Sequence, residues 1–302
     1  MKFKIAAIVV TYNRKELLEK CLCAINLQEY KPQVIYVIDN ASTDGTENVV
    51  RNISLDMPIK YVRLENNMGG AGGFCEGIKT AHMENKYDAY WVMDDDGIPD
   101  KKCLANMLPY MTKYGYIAPL VLSVENPKEL AFQYLPQKEY SQIVDSYGHD
   151  GIINNYSNPF NGVLFSRDLI AKIGYPKKEL FIWGDEREYN ARAKLYGYNP
   201  VTIIKAIHYH PKDRLIQFKD FLSKETIVYV DSKLRRYCFY RNSAYINKKY
   251  KSIFSHIYFF ISYTIYFLFS RFFDFKGLAF FYKASLDGLM ENFDRHHLYL
   301  NK

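Results

Sequence analysis

Paired cysteines are missing from this chain. Its five thiols, Cys21, Cys23, Cys75, Cys103 and Cys238, are an odd set without CxxC spacing. That argues against a disulfide framework and against a zinc site, and leaves reduced, mostly buried thiols. The opening segment, Met1 to Val10, is a short strand-like run that passes into a polar loop, without the longer apolar core and cleavage site of a secretory leader. A cytosolic protein is expected. A phosphate-binding lysine is also absent from the one glycine-rich segment, NNMGGAGGF, which follows the third predicted strand and not the first. Neither the P-loop nor the dinucleotide fingerprint fits it.

What is present is apolar and unevenly charged. With 48% hydrophobic residues in 302, the chain suits one large core or a core with an appendage, and disorder is excluded. The net charge is +7, and positions 200 to 302 hold 17 basic against 8 acidic residues. No base-reading motif accompanies that excess, so nucleic acid is not the expected partner. Tyr and Phe crowd the same region, which favours peripheral contact with a membrane surface. The uncharged run Ile253 to Phe269 has 17 residues, short of the roughly 20 that span a bilayer. It reads as an interfacial or partly buried helix, with membrane insertion as the lesser alternative and packing between protomers in a homo-oligomer as another. The expected division is residues 1–215 as one domain and 216–302 as a helical C-terminal region.

Strand and helix signals alternate through the first hundred residues. Strands are expected over Lys4 to Val10, Gln33 to Ile38, Pro58 to Leu64 and Ala89 to Met93, with helices over Lys15 to Leu27, after Ser42 and over Gly72 to Glu84. Such alternation predicts an α/β fold with a mostly parallel sheet flanked by helices. Ligands bind beyond the carboxyl ends of strands in such sheets. Thr11 to Arg14, Asp39 to Asp44, Asn67 to Gly73 and Asp94 to Asp96 lie at those ends. Positions 110 to 160 read as an insertion or acceptor-side loop.

Four constellations carry chemistry. The strand Tyr90-Trp91-Val92-Met93 stops on Asp94-Asp95-Asp96. Alternation along an extended backbone would bring Asp94 and Asp96 to one face, where like charge calls for a hard divalent cation; a solvated acidic turn is the alternative. Asp39, ending a strand in IDNASTDGT, can accept from a base or ribose hydroxyl, whereas Asp44 serves equally well as a helix cap. In FIWGDEREYNAR, Asp185 or Glu186 can act as general base, although acids at a helix start also match the helix dipole. His208 and His210 end a later strand, Val201 to Ile207, as lone structural histidines or as an imidazole ligand.

Taken together, VVTYNRKELLEKCL, VIDNASTDGT, WVMDDDG, FIWGDEREYNAR and AIHYHP resemble glycosyltransferase family 2, inverting enzymes of the GT-A fold, over roughly Lys4 to Pro211. NNMGGAGGF with WVMDDDG looks most like the galactofuranosyltransferases. The resemblance implies a UDP-sugar donor, a glycan or lipid-linked glycan acceptor at the inner face of the cell membrane, and a divalent metal, Mn2+ or Mg2+, on Asp94, Asp96 and His210. It implies that Thr11, Arg14 and Asp39 contact uridine and that Asn67 with Gly69 and Gly70 forms the donor loop. Asp95 and Trp183 are counted with these nucleotide-sugar residues. The family's aspartate pair stands here as Asp185-Glu186, so either is the expected base. A rhamnosyltransferase using dTDP-rhamnose, or a relative that binds carbohydrate without transfer, is the alternative.

Overall fold

The computed structural model describes residues 2–132, 135–158, 160–212, 216–219, 226–229 and 232–300. Two compact units divide the chain: Met1–Lys178 with Arg192–Asp213, and Glu179–Ala191 with Arg214–Lys302. The second unit therefore includes most of the FIWGDEREYNAR segment as well as the C-terminal region.

The first unit opens with the expected alternation. β1 (Ile5–Thr11), β2 (Val34–Asp39), β3 (Ile59–Arg63) and β4 (Ala89–Asp94) lie parallel in the order β3-β2-β1-β4, joined by α1 (Lys15–Asn26), α2 (Thr46–Asn52) and α3 (Gly69–Met83). β1 and β2 bury every residue, as continuous apolar runs covered on both faces do. β3, at the sheet edge, is partly or fully exposed at every position. α1 turns Leu18, Cys21, Leu22 and Ile25 inward, an i, i+3, i+4, i+7 stripe.

The glycine turn expected ahead of a helix at Gly72 does not form. α3 begins at Gly69, so the four glycines lie in its first turns. Close packing is the reason: a Cβ at Gly73 would come within 2.4 Å of Val10 Cγ1, and one at Gly77 within 2.7 Å of Ile8 Cγ2. Without side chains there, the helix lies directly on β1 and β2.

Beyond β4 the sheet is mixed. β5 (Ile98–Pro99), α4 (Cys103–Met107), β6 (Tyr116–Ser123), α5 (Tyr140–Tyr147), β7 (Ile152–Asn154), β8 (Asn161–Ser166), α6 (Arg167–Ile173) and β9 (Val201–His210) complete it. Nine strands run in the order β3-β2-β1-β4-β8-β6-β9-β5, with β7 on β9. β8 is antiparallel to β4, and Trp91 Nε1 donates to the Gly162 carbonyl at 2.8 Å. Within the segment expected to be a loop, β6 is a wholly buried strand. Pro119 disguised it, since proline argues against a central strand; a bulge between Pro119 and Leu120 accommodates the ring.

The second unit starts α7 (Asp185–Leu195) and carries the ribbon β10 (Ile216–Lys219) and β11 (Thr226–Tyr229) with α8 (Lys233–Tyr250), α9 (Ile253–Ile265) and α10 (Phe275–Leu289). α9 continues into a π-helical turn over Tyr266–Ser270. Side-chain oxygens of Ser232, Ser252 and Asp274 cap α8, α9 and α10. The core is aromatic: Tyr263 stacks on Phe281 with centroids 4.8 Å apart, and Tyr240 meets Phe281 edge-on at 5.1 Å. Ile253–Ser270 is long and apolar enough to cross a membrane by length and composition alone.

Candidate active site

Strand register brings the candidate residues of the first unit together. Thr11 pairs with Asp39 across β1 and β2, and Val10 pairs with Asp94 across β1 and β4. After the acidic turn the chain enters β5, which pairs antiparallel with the end of β9 through Ile98–Tyr209 and Pro99–His208. That pairing carries Asp96 to His210.

Asp95 and Asp96 share Arg14 and differ in their second partner. Asp95 is buried and accepts from Thr11 Oγ1 at 2.7 Å, with Arg14 Nη1 at 3.2 Å. Asp96 Oδ2 accepts from Arg14 Nη1 at 3.0 Å, and Asp96 Oδ1 lies 3.2 Å from His210 Nε2. Burial and the charges of Asp96 and Asp95 push the Asp94 carboxyl well above the usual carboxylate range. Burial alone would raise Asp96 too, but the close approach of His210 and the charge of Arg14 outweigh it and hold Asp96 below its ordinary value. Asp95, most strongly affected by burial, is raised to about 6 despite Arg14 and Thr11.

Among the described residues no three His, Cys, Asp or Glu side chains form a ready-made metal cluster. The donors nevertheless fit a hard divalent cation. His210 Nδ1 donates to the Pro211 carbonyl at 2.7 Å, so a neutral ring turns its Nε2 lone pair toward Asp96 Oδ1. That oxygen is buried without a hydrogen bond. Two facing lone pairs need positive charge between them, either a proton or a metal ion. The raised His210 value, in which Asp96 overcomes the lowering effect of burial, is the same demand met by a proton.

His208, two positions earlier on the same strand face, does something else. It is fully buried, with neither ring nitrogen hydrogen-bonded, and burial pushes it down to about 3. It fills the space left by two glycines: a Cβ at Gly97 would lie 2.3 Å from its Nε2 and one at Gly162 would lie 2.7 Å from its Nδ1. Of the two histidine readings, the structural one applies here.

The expected nucleotide residues of the first unit are tied into the same region. Arg14 and Thr11 reach the carboxylates as above. Asp39 accepts from the Ser42 amide at 2.8 Å and from the Tyr61 hydroxyl. Asn67 Oδ1 accepts from the Gly69 amide at 2.8 Å; Gly69 adopts φ 68°, and Gly70 follows it in α3. Asp44 accepts from the Thr46 and Lys15 amides, at the starts of α2 and α1, at 3.1 and 3.0 Å. Asn40 was not singled out in the sequence. It is buried, takes the Met68 amide on Oδ1 and gives Nδ2 to the Gly69 carbonyl, both at 3.3 Å. Its place directly after Asp39 at a strand end was the available signal.

In the second unit, the turn before α7 holds Phe181 at φ 66°, Trp183 at 63° and Gly184 at 121°. Two non-glycine residues in the left-handed region need outside support. Asn242 Nδ2 gives it, donating to the carbonyls of Leu180, Ile182 and Trp183 at 3.0, 3.0 and 2.8 Å. Arg241, wholly buried, donates to the carbonyls of Leu180 at 2.7 Å and Phe293 at 2.6 Å. Trp183 meets Phe239 edge-on at 6.1 Å. Asp185 is buried, and Glu186 Oε2 accepts from the Gly184 amide at 3.0 Å.

The model of the family described as Glycosyl transferase family 2 matches residues 6–174. The chain is 31% identical over 252 residues to Galactofuranosyltransferase GlfT1 of Mycolicibacterium smegmatis, covering 80% of this chain and 82% of that protein. It is 32% identical over 257 residues to GlfT1 of Mycobacterium tuberculosis, covering 82% and 83%. Among solved structures, mannosyltransferase PcManGT from Pyrobaculum calidifontis, in complex with GDP-Man and Mn2+, superposes with a TM-score of 0.57 at 14% identity over 96% of this chain and 88% of that one. S. aureus TarS 1–349 in complex with UDP-GlcNAc gives 0.54 at 18% identity over 81% and 67%.

Proposed function

The chain belongs to glycosyl transferase family 2, and from that premise we propose that it transfers galactofuranose from UDP-galactofuranose to a glycan acceptor of a cell-surface polysaccharide, inverting the anomeric carbon. The observation that carries the donor assignment is identity of 31% and 32% to two galactofuranosyltransferases over four-fifths of the chain. Asp94, Asp96 and His210 are the residues that would hold a divalent ion, manganese or magnesium. Such an ion, when bound, neutralises charge growing on the diphosphate as the glycosidic bond breaks.

The chain's own groups do the rest. Thr11 and Arg14 fix the Asp95 carboxylate, so the acidic turn keeps its shape as a nucleotide enters. Asp39, Asn67 and the start of α3 offer acceptors and backbone amides to uridine and sugar hydroxyls. Asp185 or Glu186 takes the proton of the attacking acceptor hydroxyl. The aromatic and basic helices of the second unit bring the enzyme to a lipid-linked acceptor at the membrane.

A donor screen tests the reading. Purified protein offered UDP-galactofuranose and dTDP-rhamnose, with a lipid-linked glycan acceptor, should consume the first and leave the second. Product NMR should show the configuration opposite to the donor's. Preferential use of dTDP-rhamnose, or retained configuration, contradicts it.

A further inference from the structure

Along the outer side of α9 runs an apolar stripe. Phe254, Ile257 and Ile261 are exposed at spacings of three and four, whereas Phe259, Ser262 and Tyr263 face inward. The stripe ends at the turn into α10, where Phe269, Phe272, Phe273 and Phe275 are exposed, Phe272 to 90%. This turn is tightly built. The Arg271, Phe273 and Asp274 amides donate to the carbonyls of Tyr266, Leu268 and Phe267 at 3.0, 2.9 and 3.0 Å. Asp274 Oδ1 accepts from the Gly277 amide at 2.8 Å. Phe272 and Phe273 hold φ values of 51° and 61°, a region bulky side chains rarely enter. A backbone pinned in that conformation directs phenylalanine rings outward, which the packing of the unit itself does not require.

Charge indicates what meets them. From Lys251 to Leu286 the sequence carries Lys251, Arg271, Lys276 and Lys283 against Asp274 alone. All four cations are exposed, and the one carboxylate is engaged as a cap. At the other end of the stripe, Lys248, Lys251, His256 and Ile253 line a cleft of about 390 Å³. Cations thus flank both ends of an 18-residue segment that is about 27 Å long at helical rise.

We propose that this face docks flat on a bilayer containing anionic lipid, with the Phe269–Phe275 turn seated among acyl chains and the flanking cations on headgroup phosphates. The helix lies along the surface and does not cross it, because its inner side is committed to the aromatic core, where Tyr263 stacks on Phe281. The proposal rests on the transferase reading only for its purpose, supply of a lipid-linked acceptor, and its test does not involve transfer.

The test is flotation of the full chain with phosphatidylcholine vesicles, with and without phosphatidylglycerol. The protein should float with anionic vesicles and remain largely behind with neutral ones. Phe272→Asn/Phe273→Asn, chosen because asparagine tolerates positive φ, should lower the floating fraction about tenfold or more with an unchanged melting temperature. Arg271→Glu/Lys276→Glu should remove the anionic preference. Failure of the unmodified chain to float, or flotation of the double asparagine variant equal to it, overturns the proposal. So does a dimer in sedimentation that the asparagine variant dissociates, without vesicle binding, since a second copy would then cover the face.

Discussion

Asp94→Asn is expected to lower transfer on the order of a thousandfold or more while raising the melting temperature by about 2 °C or more in excess chelator. The two effects have one cause. Asp94 is buried beside Asp96 and Asp95, and its carboxyl is pushed well above the ordinary range. The native state therefore binds its proton more tightly than the unfolded chain does. The penalty is fully present above the native-state value and shrinks as pH falls through it. Below the unfolded value of about 3.8 both states are protonated, so the gap between variant and parent closes on acidification. Asp96→Asn should be equally inactive but less stable. Asp96 is held below its ordinary value by His210 and Arg14, which outweigh burial, so its contribution is present above about 3.8 and lost as pH falls through the lower native value. Opposite stability shifts with the same loss of transfer would separate function from folding. Activity assays and thermal melts across pH supply both readings.

Arg241→Ala should be the most destabilising single change in the second unit. Its guanidinium is wholly buried, and burial lowers its proton affinity. It is retained for the carbonyls it satisfies, those of Leu180 and Phe293, with Asn242 Oδ1 accepting from Nε at 2.9 Å. Removing it leaves a cavity and takes one donor each from the Leu180 and Phe293 carbonyls, which keep Asn242 Nδ2 and His296 Nδ1; together this costs about 3 kcal/mol, a fall of roughly 10 °C in melting temperature. The turn that carries Trp183, Asp185 and Glu186 loses its clamp at the same time, so transfer should fall below the melting point while UDP binding persists. A melt, a UDP titration and a rate on one preparation check it. Loss of less than about 1 kcal/mol, a typical hydrogen-bond contribution, would show that Asn242 holds the turn alone.

Much of the first unit was legible because its strands are uninterrupted apolar runs that stop on polar residues. Val34–Asp39 and Ala89–Asp94 each end on the carboxylate that the sequence marked. α3 was placed late because glycine normally breaks helices, and only tertiary contact with Val10 and Ile8 shows why these glycines belong inside one. β6 was hidden by Pro119, whose bulge appears only in the pairing with β9. Asp96 and His210 were each marked, but their 3.2 Å approach depends on β5, a two-residue strand with no sequence signature. The roles of Arg241 and Asn242 were beyond reach for the same reason. Apart from the bond between the two, the partners described lie 52 to 62 residues away and are backbone carbonyls, which leave no trace in side-chain pattern.

The most direct measurement is calorimetric titration of UDP into the full chain, first with manganese and then after exhaustive chelation. Binding should depend on the metal, and the metal-dependent part should vanish in Asp96→Asn and in His210→Ala. Equal UDP affinity with and without manganese, or an undiminished manganese effect in both variants, would contradict a diphosphate held through a cation on the acidic turn.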